Sequence, residues 1–189
     1  MLKSLSLIPA ALIVAVTACD NQPAAPVDDL SAAGISMSAG QGSVIAEIRS
    51  ATARYHDVAV AIAAGYVRAT PCIYNTPGSK AIHFLKASLV NGSFNPSTPE
   101  VLLYEPMKNG NMRLVGVEFL IPSAAWDATN TGIPSLGSEP FMDRRSAPFG
   151  ADFPNYALYV WAWRENPAGM YNQYNPNVSC EFADVSVIR

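Results

Sequence analysis

The stretch Glu100-Val101-Leu102-Leu103-Tyr104-Glu105-Pro106-Met107-Lys108-Asn109-Gly110-Asn111-Met112-Arg113-Leu114-Val115-Gly116-Val117-Glu118-Phe119-Leu120-Ile121 decides the fold. Two runs rich in valine, leucine and aromatic residues flank an Asn-Gly pair, and Asn-Gly supplies the positive φ angles that a tight turn requires. The reading is an antiparallel hairpin. If Asn109-Gly110 centres a two-residue turn, Glu105 faces Leu114 and Glu118 faces Val101. Both carboxylates then point to one face of the sheet, separated along it by roughly 14 Å at about 3.4 Å per residue. That is too far for the two to share one metal ion or one reaction centre.

Outward from the hairpin, further strand signals recur. Ala81-Ile82-His83-Phe84-Leu85 is a short run in which Ala81, His83 and Leu85 would share one face and Ile82 and Phe84 the other. Residues 156–163 carry the aromatic and β-branched content of a strand, and 178–182 or 185–188 offers a last one. Between Pro122 and Pro154 the chain is rich in Pro, Gly, Ser and Asp, with Ala124-Ala125-Trp126-Asp127 as one helical turn. An irregular stretch of that length often borders a binding site.

Upstream the period changes from two to between three and four. Ser43 can cap a helix whose apolar positions Val44, Ile48, Ala51, Tyr55, Ala59 and Ile62 form one stripe, with Gly65 placed to end it. The predicted fold is α+β: one long N-terminal helix packed on an antiparallel sheet with long irregular loops.

The chain begins Met1-Leu2-Lys3-Ser4, runs through an apolar stretch from Leu5 to Val16 and reaches Val16-Thr17-Ala18-Cys19. A charged start, a short apolar middle and small residues before a cut site are the parts of a secretory signal. The apolar run is shorter than the about 20 residues a spanning helix needs. Val16-Thr17-Ala18-Cys19 resembles the bacterial lipobox, which implies cleavage before Cys19 and lipid attached to it. Residues 1–18 are then a lipoprotein signal peptide, 19–42 the lipidated cysteine and a flexible tether of Ala, Pro, Ser, Gly and Asp, and 43–189 a single domain. The implied location is the outward side of a bacterial membrane, periplasmic or at the cell surface, with the membrane itself reached through the lipid.

Of three cysteines, Cys72 and Cys180 remain after lipidation, and in an oxidising compartment such a pair is expected to form a disulfide. The loop it closes spans most of the domain, which is worth about 4 to 5 kcal/mol by loop-closure entropy. The net charge of −3, with no basic run, argues against nucleic acid as a partner.

Chemistry has few places to reside. The chain holds two histidines, so a Ser-His-acid relay would have to use His56 or His83. His56 sits beside the helical stripe and reads as a boundary residue. His83 lies inside an apolar run and must find a hydrogen-bond partner or a metal there. Glu105 and Glu118 lie inside hydrophobic strands, where a carboxylate needs a partner. Arg113, Arg144, Arg145 and Arg164 could supply salt bridges; alternatively His83 with one of the two carboxylates could ligate a metal or act as a base. No cofactor can be named from the sequence. Tyr159, Trp161 and Trp163 would share one strand face, either as core or as a row that stacks on flat ligands or sugar rings.

As a set, several motifs look familiar. They are Gly65-Tyr66, Cys72, Ile82-His83-Phe84, Pro99-Glu100-Val101-Leu102-Leu103-Tyr104-Glu105-Pro106 and Leu114-Val115-Gly116-Val117-Glu118-Phe119. With them go Val160-Trp161-Ala162-Trp163, Asn166-Pro167, Gly169, Asn175-Pro176 and Val178-Ser179-Cys180. Together they resemble a family of exported bacterial proteins that is uncharacterised in activity. Members tend to carry histidine before the Val-Trp pair, where this chain has Tyr159.

Two functional expectations follow. One is a non-catalytic module that binds a small molecule or an envelope protein. The other is a metal-assisted or hydrolytic enzyme using His83 with Glu105 or Glu118. The scarcity of histidine favours the first, because a catalytic zinc normally takes two or three histidine or cysteine ligands.

Overall fold

The computed structural model describes residues 39–146 and 151–184. The expected signal peptide, Cys19, the expected tether as far as residue 38 and the run 185–188 lie outside the described residues. No helix among the described residues is long and apolar enough to cross a membrane.

The first helix, α1, spans Ala39–Thr52 and so begins before Ser43. Ser43 does not cap it; its hydroxyl donates to the Gly40 carbonyl at 2.8 Å inside the first turn. The chain then narrows to a 3-10 turn, Ala53–His56, and restarts as α2, Val58–Ala63. The expected single long helix is therefore broken. Asp57 causes the break: its backbone is extended and its carboxylate accepts from Ala59 N at 2.9 Å, a use of aspartate that favours a cap over a helix interior. Past the break the stripe loses phase. Ala61 is buried while Ile62, placed on the buried face by the unbroken period, is 54% exposed. Gly65, at φ +94, ends α2 as expected. Gly65 N donates to Ile62 O and Tyr66 N to Ala61 O, the paired bonds of a left-handed helix stop.

Nine strands follow among the described residues: β1 (Val67–Arg68), β2 (Ile73–Asn75), β3 (Gly78–Leu85), β4 (Val101–Pro106), β5 (Met112–Pro122), β6 (Ser135–Leu136), β7 (Glu139–Pro140), β8 (Met142–Arg144) and β9 (Asn155–Val160). A short helix, α3 (Ser123–Asp127), follows β5 where one helical turn was expected. The main sheet runs β1-β3-β4-β5-β9-β8 with β2 also paired to β3, and every pairing is antiparallel. The α+β class holds. No strand forms at 178–182, and the strand expected over 156–163 stops at Val160.

The central hairpin differs from expectation in one instructive way. Met107 N donates to Asn111 O at 2.8 Å and Gly110 N to Met107 O at 2.9 Å, so the loop holds three residues, with Gly110 at φ +81. Glu105 consequently faces Arg113 instead of Leu114. Val115 then bulges as an extra residue between the Leu103↔Gly116 and Tyr104↔Leu114 pairs, which restores the expected Val101↔Glu118 pairing farther along. Gly116 is required there, since a Cβ would come within 2.6 Å of the Val160 carbonyl oxygen.

The two faces of the sheet are covered differently. Ile45, Ile48 and Tyr55 from the helical segment pack with Ile82, Phe84, Leu102, Tyr104, Phe119 and Leu158 on one face. Ala81, Val101, Leu103, Leu120, Tyr159 and Trp161 form a second cluster with Met142 of β8 and with Val178 and Phe153, which arrive from loops. Cys72 and Cys180 are joined in a disulfide with Cα atoms 5.6 Å apart, and Ser79 and Asn175 exchange backbone hydrogen bonds. These ties clamp the C-terminal segment to β3. The second, loop-covered face carries the ionisable groups.

Candidate functional site

His83 sits on β3 opposite Leu103 of β4, which in turn faces Gly116 of β5. Its side chain is 8% exposed, on the loop-covered face. Nε2 lies 2.9 Å from the Tyr159 hydroxyl and 3.4 Å from Glu118 Oε2. Glu118 and Tyr159 are direct cross-strand partners on β5 and β9, so the register itself brings carboxylate and phenol together. On the other side of the ring, Nδ1 is 3.1 Å from Thr70 Oγ1, which also accepts from the His83 backbone N–H at 3.0 Å. The second Glu118 oxygen accepts from Arg144 Nη1 at 3.2 Å. Arg144 comes from β8, a strand not legible in the Pro- and Gly-rich region that carries it.

Lys80 joins this group through a backbone irregularity. Ile73 pairs with Ala81 but Tyr74 with Ser79, leaving Lys80 as an extra residue in β3. Ala81 takes φ +65, a left-handed value uncommon for a residue with a side chain, and its N–H is held by Ser79 Oγ at 2.8 Å. Lys80 Nζ lies 4.8 Å from the Tyr174 ring centroid and 6.0 Å from that of Tyr159. Thr70, Lys80, His83, Glu118, Arg144 and Tyr159 line a cavity of about 60 Å³, with apolar walls that include Ile73, Leu85 and Leu120.

Burial sets the protonation states. It lowers the His83 pKa to about 3, with the Lys80 and Arg144 charges acting in the same direction. His83 is therefore neutral at ordinary pH, and its 3.4 Å contact with Glu118 is not an ion pair. Burial pushes Glu118 above the usual carboxylate range, against the opposing pull of Arg144 and Lys80 and hydrogen bonds from Arg144 and Tyr159. Burial, reinforced by the Glu118 charge, also raises the Tyr159 hydroxyl well above its ordinary value, so the phenol stays protonated. One tautomer satisfies every contact of the ring. The Thr70 hydroxyl accepts from the His83 backbone and donates to Nδ1, leaving Nε2–H directed at Tyr159 and Glu118.

The other residues singled out in the sequence lie elsewhere. Glu105 is ion-paired with Arg113, whose Nε donates to it at 3.1 Å, and also accepts from Ser179 N at 2.9 Å. It takes no part in the His83 cluster, so of the two glutamates only Glu118 meets the histidine. The aromatic row is not an exposed stacking surface: Tyr159 and Trp161 are 2% and 1% exposed. Their rings stack on each other at 6.3 Å, and Trp161 Nε1 donates to Asn172 O. Trp163 is not on their face. Beyond the end of β9 it packs on the helix side, donating to Thr52 Oγ1 at 3.0 Å and meeting the exposed His56 ring at 4.3 Å. Arg145 turns to Asp143 and Asp127, and Arg164 to the Asn177 carbonyl.

Sequence reasoning missed Lys80, Thr70 and Glu100. Glu100 is 2% exposed and accepts from Leu120 N at 3.1 Å. Burial, with a smaller contribution from Glu118, raises its pKa to about 7. Its signal was a carboxylate abutting Val101-Leu102-Leu103; Lys80 had none, because a bulge leaves no trace in composition. Among the described residues no group of three or more His, Cys, Asp or Glu converges so as to hold a metal ion. A broader depression of about 610 Å³ lies beside the disulfide, lined by Tyr74, Pro77, Pro176 and Glu181, but gathers no buried ionisable group.

No protein-family model, curated protein or solved structure matches the chain.

Proposed function

We propose that this protein is a membrane-anchored cell-envelope lipoprotein whose domain is a non-catalytic binding module, with the cavity around His83, Glu118, Tyr159 and Arg144 as its recognition site. The observation that carries this reading is the convergence of buried polar side chains from β3, β5, β8 and β9 on the face the helices leave uncovered. Buried ion pairs are weak sources of stability, and apolar residues of similar volume often serve the fold as well or better. A sheet face that keeps such a cluster is consistent with selection for use. The left-handed Ala81 between Lys80 and His83 supports the same conclusion, since backbone strain persists where surrounding structure imposes it and gathers at working sites.

The envelope location rests on the charged, apolar and small-residue succession ending at Cys19. The Cys72–Cys180 disulfide supports it, since such bonds persist in oxidising compartments.

The enzyme reading has one geometric argument in its favour. Thr70 Oγ1 at Nδ1 and Glu118 at Nε2 place a hydroxyl, an imidazole and a carboxylate in the order of a nucleophile, base and orienting acid. Electrostatics oppose it. The relay requires an imidazolium, and burial together with Lys80 and Arg144 holds the His83 pKa at about 3. A base that weak makes a poor proton acceptor at neutral pH.

The test uses full-length protein recovered from a bacterial membrane in detergent. Mass spectrometry is expected to show a chain starting at an acylated Cys19, and the protein to leave p-nitrophenyl acetate unhydrolysed. Steady hydrolysis that vanishes in Thr70→Val would replace the binding reading with the enzymatic one. An unprocessed, unacylated chain would remove the anchor.

A further inference from the structure

The charges around the cavity do not cancel. Lys80 and Arg144 are cations and, among the described residues, Glu118 is the one carboxylate lining it, while the imidazole and phenol are neutral. Lys80 makes ring contacts with Tyr159 and Tyr174, and among the described residues no carboxylate lies within ion-pair distance of it. The nearby acids are directed elsewhere. Asp143 is paired with Arg145, and Glu100 lines a separate small cavity with Asn91 and Asn95. Among the described residues at least one positive charge in excess faces this space.

The size of that space restricts what can neutralise it. A water molecule needs about 10–15 Å³ of such volume, so about 60 Å³ admits roughly four to six atoms of water size. That accommodates a carboxylate of one or two carbons or an inorganic oxyanion of the same size, and leaves out phosphate esters, dicarboxylates and sugars. The walls are divided accordingly. Lys80, Arg144 and Tyr159 offer donors, and Ile73, Leu85 and Leu120 offer an apolar surface suited to a methyl group.

Resting on the cavity's role as a binding site, we propose that its ligand is a small planar monoanion of the size of acetate, held by the excess positive charge of Lys80 beside Arg144. Lys80 is then a specificity residue. Its displacement from the regular strand register by the bulge in β3 is what delivers the charge.

The test is calorimetric titration of the full-length protein in detergent with acetate, nitrate and acetamide, ionic strength held constant with chloride. Acetate or nitrate should bind saturably, one per chain, and which of the two binds more tightly identifies the source as organic or inorganic. Acetamide, of the same shape without the charge, should bind at least tenfold more weakly. Lys80→Met should weaken the anion at least tenfold and Lys80→Arg should restore most of the affinity. Equal binding of acetamide and acetate, with Lys80→Met unchanged, would overturn the anion assignment and leave the cavity as a binding site. No saturable binding of any of the three would overturn both the anion assignment and the binding-site reading.

Discussion

The imidazole of His83 and the hydroxyl of Tyr159, 76 positions apart in sequence, meet at 2.9 Å across a sheet that places two strands between them. The meeting depends on small features of those strands. Gly116, opposite Leu103 in the row between them, has no side chain to occupy the space, and the Val115 bulge restores the pairing that puts Glu118 beside Tyr159. Tyr159 thereby links the histidine of β3 to the carboxylate of β5.

Tyr159→Phe removes the phenol from both contacts and leaves buried polar atoms short of a partner. The expected loss of folding stability is about 1–3 kcal/mol, read from urea unfolding at pH 7. A change below the error of the measurement would mean that the hydroxyl is not in the hydrogen-bonded position described.

His83 should stay neutral well into the acid range. Its folded pKa of about 3 lies below the ordinary 6.5, so the unfolded chain binds the proton more readily. The contribution of His83 to stability is therefore fully present above pH 6.5 and is lost as the pH falls toward 3. Imidazole ¹⁵N shifts in selectively labelled protein should show no protonation of His83 at pH 5. A midpoint near 6.5 would contradict the burial and the flanking cations.

Glu100 acts in the opposite sense. Its folded pKa of about 7 exceeds the unfolded 4.5, so the folded state holds the proton more tightly and stability declines as the pH rises from 4.5 to 7. Glu100→Gln keeps an oxygen to accept from Leu120 N and removes the charge. At about 1.4 kcal/mol per pKa unit the variant should gain roughly 3 kcal/mol at pH 8, with little change at pH 4.5. Equal effects at both pH values, measured by denaturant unfolding, would refute this.

The Cys72–Cys180 crosslink joins positions 108 residues apart and ties the C-terminal segment over the loop-covered face. Replacing both cysteines by alanine should cost about 4–5 kcal/mol by loop-closure entropy, with a matching fall in thermal midpoint. Unchanged stability, or free thiols in protein from its native compartment, would contradict both the bond and its supporting role in the envelope assignment.

Much of this arrangement was legible in the sequence, for physical reasons that also explain what was not. Alternating apolar residues at 81–85 and the two arms around Asn109-Gly110 announced strands, because side chains in a strand must alternate between faces. The Val101↔Glu118 pairing was read correctly, but only because the three-residue turn and the Val115 bulge offset each other; between them, Glu105 is shifted onto Arg113. The break at Asp57 was hidden, since apolar spacing on its two sides mimics one continuous stripe. Arg144 was foreseen as a possible partner of a buried glutamate, whereas the strand that carries it was not. Lys80 left no signal at all, because a bulge and a left-handed alanine are decided by tertiary packing.

The central claim is that the buried polar cluster exists for the cavity it lines and contributes little to holding the fold together. The measurement is the unfolding free energy, together with acetate binding, of one variant combining His83→Leu, Glu118→Leu, Arg144→Met and Tyr159→Phe. The expected result is stability equal to the parent or higher by about 1–4 kcal/mol, with binding abolished. A loss of several kcal/mol in this fully apolar variant, or binding that survives it, would contradict the claim.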